Sequence, residues 1–287
     1  MQQGLVFDIG MHNGEDSAYY LHLGYSVLGV DANPLKTAEC AARFRNEIRD
    51  GRMKIINAGV LKAPGEFTFY RNLKDDGWSS FDPEKGRMGG EWEAVTVPCV
   101  TTRQLIETHG KPVFLKVDIE GADFQAIQSI TAAAAPDYIS VELSYGDPIV
   151  ETLIGLGYTA FKFVEGENYR PAPRIFEHQP VWRLLRKAGR VAPVIRTAIM
   201  KLPQPMRMKS EYNPPGRYSP DGYPFTRYSS GPFGEQAAGR WMKPENALRW
   251  FGRLKDDYRK ADAPFWWDVH ARHSSVASSM RDGKQPA

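Results

Sequence analysis

Four carboxylates sit in or just after apolar runs, where they could do chemistry. Asp8 lies in Val6-Phe7-Asp8-Ile9-Gly10, Asp31 follows Val27-Leu28-Gly29-Val30, and Asp118 and Glu120 follow Val113-Phe114-Leu115-Lys116-Val117. An apolar run that ends in an acid is a buried strand delivering a carboxylate to a sheet edge, where open α/β folds bind ligands. Asp31 stands 21 residues after Gly10, the position from which an acid accepts hydrogen bonds from ribose hydroxyls. The loop Gly10-Met11-His12-Asn13-Gly14 precedes an amphipathic segment that begins at Glu15, so backbone donors gather at a helix start. Together these residues describe a nucleotide-cofactor site. The spacing Gly10-x-x-x-Gly14 is shorter than the dinucleotide fingerprint, and no further glycine run covers a pyrophosphate. A cofactor without phosphates fits better, and hydride transfer is disfavoured.

Asp118 and Glu120 face the same crevice. Either can accept the proton of a substrate hydroxyl. Alternatively, both with Glu142 can hold a divalent cation that lowers the hydroxyl's pKa, although no distinctive ligand spacing favours a metal. The plain alternative for both acids is capping of the helix that follows. His12 is either a base or a hydrogen-bonded loop residue. Asn57 and Ala58 end a third strand, on the side where adenine lies in this architecture, and Asn57 is equally a turn former. Trp78, Ser79 and Ser80 either cover the cofactor or form a solvated turn.

The elements that must position these groups alternate. Helices are expected over 15–23, from Asn33 to about Ile48, and over 101–108, 122–134, 148–156 and 242–261; strands are expected over 27–31, 53–60, 113–118, 138–143, 159–164 and 265–270. A hairpin-like excursion fills 64–100. This alternation predicts a mostly parallel sheet of seven strands, Rossmann-like, with helices on both faces and an antiparallel last strand.

With 287 residues the chain can hold one α/β domain and a large appendage. Cys40 and Cys99 form no metal spacing and suggest a reducing, cytoplasmic setting. No apolar run approaches the ~20 residues of a membrane span, and no signal peptide precedes the first strand. Between Val181 and Ser230 there are ten Lys or Arg against two acids, with seven prolines. Aromatic interleaving is too sparse there for specific nucleic-acid binding. The basic stretch 181–201 reads as a helix packed on the domain, a peripheral membrane contact, or a clamp for an acidic glycan. The expected organisation is a cofactor domain over 1–164 and 263–271, an insertion over 165–262 capping the substrate site, and a disordered tail over 272–287. Within the cap, Ser229 to Glu235 is expected to face the substrate, with Ser230, Phe233 and Glu235 in contact. Arg217 and Arg227 would meet an acidic acceptor, and Trp266 lies beside the cleft.

Three segments resemble one known family: Asp8-Ile9-Gly10-Met11-His12-Asn13-Gly14-Glu15, Asp31-Ala32-Asn33-Pro34 and, most diagnostic, Leu115-Lys116-Val117-Asp118-Ile119-Glu120-Gly121-Ala122-Asp123. They resemble the FkbM family of S-adenosylmethionine-dependent methyltransferases. Ser229 to Glu235 and Trp266 to Ala271 are similar to segments of one branch, whereas 165–228 resembles nothing identifiable. The resemblance implies S-adenosylmethionine as cofactor and an oxygen nucleophile on a glycan, glycolipid or secondary metabolite as acceptor. It implies that Asp8, Gly10, His12, Asn13, Gly14, Asp31, Ala32, Asn33, Asn57, Ala58 and Asp118 surround the cofactor, with Asp118, Glu120 and His12 as catalytic candidates. A silent binding module that keeps the cofactor fold, or a methyltransferase of another acceptor class, stands as the alternative.

Overall fold

The computed structural model describes residues 3–166, 169–171, 217–218, 222–226, 229–261 and 266–276. Along the chain run β1 (Leu5–Ile9), α1 (Glu15–His22), β2 (Ser26–Asp31), α2 (Pro34–Arg43), α3 (Arg45–Arg49), β3 (Met53–Asn57) and β4 (Gly59–Val60). Next come β5 (Gly65–Asn72), α4 (Pro83–Gly86), β6 (Trp92–Val100), α5 (Thr102–His109), β7 (Phe114–Val117), α6 (Asp123–Ile127) and β8 (Tyr138–Glu142). The rest are α7 (Ile149–Gly155), β9 (Tyr158–Glu165), β10 (Arg170–Pro171), β11 (Arg217–Tyr218), β12 (Pro224–Phe225), α8 (Pro244–Ala261) and β13 (Trp267–His273).

The main sheet has the order β10-β9-β13-β8-β7-β1-β2-β3, in which β10 is a two-residue edge piece. The seven longer strands are parallel except β13, which runs antiparallel between β8 and β9. This is the predicted sheet, and its strand order reverses between β1 and β7, where a crevice opens beyond the carboxyl ends. The two strands that meet there carry Asp8, Gly10, Asp118 and Glu120 at or just beyond their ends.

Local chemistry explains most boundaries. The Asn33 side chain accepts from Leu35 N at the start of α2, with Pro34 in the first position. Thr101 and Gln104 form a capping box at α5. Three expectations shift. The helix expected to reach Ile48 breaks at Phe44, which leaves helical geometry to bury its ring. The helix expected over 122–134 ends at Ile127 and resumes as a single tight turn at Ala132–Ala134. The strand expected to reach Val60 leaves the main sheet after Asn57, and β4 pairs instead with β6 in the three-stranded sheet of the excursion.

The two faces of the main sheet differ sharply. One is apolar: Phe7, Ile9, Leu115, Val117, Ile139, Val141, Phe163 and Val269 are all essentially inaccessible, and α5 to α8 supply residues to the core they form. Trp250 of α8 stacks on Phe163 with ring centroids 4.3 Å apart. On the other face the register aligns Asp8, Lys116, Ser140, His270 and Lys162 in one row across five strands. Residues 229–241 lie on this face, and Lys162 Nζ donates to the carbonyls of Gly234 at 3.1 Å and Ala237 at 2.7 Å.

The insertion is described only in part. Its described part divides, with 229–241 lying across the face with this polar row and α8 buried against the apolar one, because Trp250, Phe251 and Leu254 complete the main core. Residues 272–276, expected in the tail, are instead structured: β13 continues to His273, and Val276 is buried in a cluster with Tyr20 and Phe114. The basic stretch 181–201 and residues 277–287 lie outside the described residues. Among the described residues, no helix is long and apolar enough to cross a membrane.

Candidate active site

The crevice is built on a buried lysine. Lys116, in the centre of β7 and 3% exposed, lies 3.2 Å from Asp16 Oδ2, 3.4 Å from Asp118 Oδ2 and 3.5 Å from Asp8 Oδ1. Burial disfavours its charge, but Asp118, Asp8 and Asp16 outweigh that and hold its pKa well above the usual lysine range. The ammonium therefore stays charged and fixes Asp118 at the crevice floor. Ser230 adds a second contact, its Oγ 3.4 Å from Asp118 Oδ2, while its N–H donates to Asp16 at 3.0 Å.

Beyond β7 the chain turns sharply. Glu120 takes a left-handed φ of 58°, a strained conformation for a residue with a Cβ, and Gly121 follows at 106°. Two sets of hydrogen bonds hold the turn. Asp123 accepts from Ile119 N at 2.8 Å and Gly121 N at 2.9 Å, and Ser80 of the excursion donates to the Glu120 carbonyl at 2.7 Å. The Glu120 carboxylate pairs with Lys85. Burial pushes its pKa up to about 7, with Lys85 opposing and Asp118 reinforcing the rise. Burial, with Glu120, Asp118 and Asp123, also raises the pKa of Glu142, at the end of β8, well above the usual carboxylate range, and Lys85 opposes the rise. Asp118, Asp123 and Glu142 each offer one oxygen, and these oxygens all lie within 4.8 Å of one another.

On the other side of β1, Asp31 accepts the backbone N–H groups of His12 and Asn33, both at 2.8 Å. Each oxygen keeps a further acceptor direction, and the residue is partly exposed at the strand end. Burial raises its pKa, and the two backbone donors oppose the rise.

The structure separates residues that the sequence grouped. Asp31, Asp118, Glu120 and Ser230 border the crevice. Asp8 does not reach it: the side chain is fully buried, accepts from Ser17 Oγ at 2.6 Å, and supports the floor from below. Gly10 and Gly14 make room for protein. A Cβ at Gly10 would lie 1.7 Å from the Asp118 carbonyl oxygen, and one at Gly14 would lie 2.5 Å from the Phe44 ring. Asn33 is a buried cap, and the Asn57 amide donates to the carbonyls of Asp31 and Ala32, closing the end of β2. Ala32 and Ala58 are buried beside it. Asn13 Oδ1 accepts from Lys36 at 2.8 Å. His12 pairs through Nε2 with Asp76 of the excursion at 2.9 Å, so its ring ties the loop to the excursion.

Among the expected substrate contacts, Phe233 and Glu235 are corrected. Phe233 stacks on Phe114 at 4.0 Å, at the amino end of β7. Glu235 accepts from the Tyr138 hydroxyl at 3.1 Å and from Arg272 at 2.7 Å, also at the amino end of the sheet. Both face away from the crevice because residues 231–241 run across the sheet towards that end. Trp266 stands at the carboxyl edge, 37% exposed, beside Gly166. Arg217 pairs through its backbone with Phe225, and Arg227 lies outside the described residues.

Sequence reasoning missed Lys116, Lys85, Asp123 and Asp268. A lysine inside Phe114-Leu115-Lys116-Val117 and an aspartate inside Trp267-Asp268-Val269 are charges in otherwise apolar strands, a signal that a buried charge has a purpose. A groove lined by Thr37, Ala41, Met53 and Asn57 lies between α2 and β3 and holds none of these carboxylates.

Residues 8–191 match the methyltransferase FkbM domain. No curated protein matches significantly. Among solved structures, methyltransferase FkbM from Methylobacillus flagellatus KT is similar at 14% identity and a TM-score of 0.35. That alignment covers 48% of this chain and 32% of that one, leaving most of the longer protein unmatched. Precorrin-6y C5,15-methyltransferase from Geobacter metallireducens GS-15 is similar at 14% identity and a TM-score of 0.32, over 58% of this chain and 71% of that one. A putative rRNA methylase from Clostridium thermocellum is similar at 13% identity and a TM-score of 0.34, over 57% and 78%.

Proposed function

Because this chain belongs to the FkbM methyltransferase family, we propose that it transfers a methyl group from S-adenosylmethionine to a hydroxyl oxygen of a glycan, glycolipid or secondary metabolite. The observation that carries the reading is the pairing of two groups across the switch between β1 and β7. Asp31, an acceptor suited to a ribose diol, stands on one side, and Asp118 and Glu120 stand on the other.

The donor set suits such a cofactor. Asp31 is ready for vicinal hydroxyls, and α1 begins at Gly14 without a side-chain cap, leaving first-turn N–H groups near the crevice for a carboxylate. The cofactor, when bound, supplies an electrophilic methyl group on a sulfonium. The protein's part is to orient the acceptor and take its proton. Glu120 is suited to proton removal because it is partly accessible, held by a strained turn, and surrounded by other carboxylates that favour a proton. Lys116 and Ser230 hold Asp118 beside it, where its carboxylate can accept a hydrogen bond from the incoming hydroxyl.

The test has two stages. Calorimetry with S-adenosylhomocysteine and with NAD should give binding of the first alone. A screen of hydroxylated glycans and metabolites with methyl-labelled cofactor should then yield an acceptor labelled on oxygen. Binding of NAD alone would overturn the reading, and label on nitrogen or carbon would overturn the oxygen assignment.

A further inference from the structure

The acids beyond β7 and β8 outnumber their counter-charges. Asp118 and Asp123 both disfavour the charge of Glu120, Glu142 and Asp268, and the cations among these acids are Lys116 and Lys85. Lys116 is already shared with Asp8 and Asp16, and Lys85 pairs with Glu120. Among the described residues the half-buried carboxylate of Glu142 makes no hydrogen bond or ion pair. Neither does Asp268, which is 3% exposed and sits on β13 in register with Glu142, on the same face. A buried carboxylate without a partner is costly, and at Asp268 the half-buried Glu142 beside it and the nearby Asp118 add to that cost.

Protons can neutralise these acids, and the placement of the oxygens also suits a cation. Asp118, Asp123 and Glu142 present one oxygen each, with no separation above 4.8 Å. Oxygens that each lie ~2.0 to 2.6 Å from a central hard cation are separated by roughly 3 to 5 Å. The Asp123 carboxylate is held by the backbone of the strained turn, so its free acceptor directions are fixed in advance. The donor set is oxygen alone, which selects magnesium, manganese or calcium over zinc or copper.

We propose that Asp118, Asp123 and Glu142 form a binding site for a divalent hard cation, with Asp268 behind them adding negative charge. Three protein oxygens leave coordination positions open towards the crevice. Under the methyl-transfer reading, on which this purpose but not the binding rests, those positions take the acceptor's oxygens. The acceptor class narrows accordingly to compounds with two adjacent oxygen donors, such as a vicinal diol or an α-hydroxy carbonyl.

Manganese is the probe. The full chain, freed of metal by chelator and dialysis, is titrated with Mn2+ and followed by electron paramagnetic resonance and by melting temperature, with S-adenosylhomocysteine binding measured on the same samples. Wild type should take up one ion per chain and melt higher with it. Glu142→Gln should weaken Mn2+ binding at least about tenfold and, without metal, melt no lower than wild type, because one repelling charge is gone. A wild-type chain that binds S-adenosylhomocysteine but takes up no Mn2+ overturns the site. So does a Glu142→Gln chain that binds Mn2+ as tightly as wild type. A chain that binds Mn2+ but not S-adenosylhomocysteine keeps the cation site and removes the methyl-transfer reading.

Discussion

Asp31 and Glu120 are both acids at strand ends, yet their surroundings assign them different work. Asp31 is surrounded by donors: two backbone N–H groups hold its carboxylate at 2.8 Å and aim what remains of its acceptor capacity outward. Removing it should cost binding. Asp31→Ala is expected to weaken S-adenosylhomocysteine binding by about 1 to 3 kcal/mol, roughly 5- to 150-fold, measured by calorimetry. Glu120 is surrounded by other carboxylates and by Lys85, an arrangement that holds a proton rather than a ligand. Glu120→Gln is expected to leave S-adenosylhomocysteine affinity within about twofold while kcat for methyl transfer falls about 10²- to 10⁴-fold. Equal loss of affinity in both variants would mean that the two acids share one role. The split was only partly legible in the sequence. The spacing of Asp31 from Gly10 marked it, whereas the environment of Glu120 depends on Lys85, 35 residues earlier, and on Glu142, 22 residues later. No local pattern links those positions.

Elements show the same division between what is local and what is assembled. Strands and helices of the cofactor half were legible because each carries its own periodicity and caps, as at Asn33 and Thr101. The glycines were legible as turn residues, but their reason was not: Gly10 is required by the Asp118 carbonyl, which arrives from a strand more than a hundred residues away. The segment Ser229 to Glu235 shows the limit most clearly. Its glycines and proline specify a fixed path, and the path is fixed, but only its first residues meet the crevice. Ser229 and Ser230 bind Asp16, and Phe233 has already reached the amino end of the sheet, between Phe114, Tyr20 and Tyr25. Phe233→Ala should therefore act on stability. We expect a loss of about 3 to 5 kcal/mol in denaturant unfolding, with KM for the acceptor unchanged in the folded fraction. A raised KM with unaltered stability would restore Phe233 to the substrate site.

At the scale of the molecule, the main sheet has one apolar face and one mixed face, where a polar row crosses between apolar residues such as Phe114 and Val164 and is not confined to the crevice. The row continues from Asp8 and Lys116 through Ser140 to His270 and Lys162, where residues 229–241 cover it. His270 bears the cost of that arrangement. It is 2% accessible, and neither ring nitrogen has a hydrogen-bond partner among the described residues. Burial, helped by the nearby Lys162, lowers its pKa from 6.5 to about 3. The unfolded chain thus binds a proton at His270 from pH 6.5 downward, and the folded chain does not until about pH 3. Within that window the unfolded state carries more protons, so stability falls as pH falls. At pH 5 the group should already have cost about 2 kcal/mol relative to neutral pH, one and a half decades below the unfolded value at ~1.4 kcal/mol each. His270→Phe removes the titration without stranding a hydrogen-bond partner. It should flatten the loss of unfolding free energy between pH 7 and pH 5 by about that amount, in denaturant melts at matched ionic strength. If wild type and variant lose stability in parallel over that range, His270 is protonated or solvated in the folded protein, and the covering segment 229–241 opens far more readily than three lysine hydrogen bonds to its carbonyls would allow.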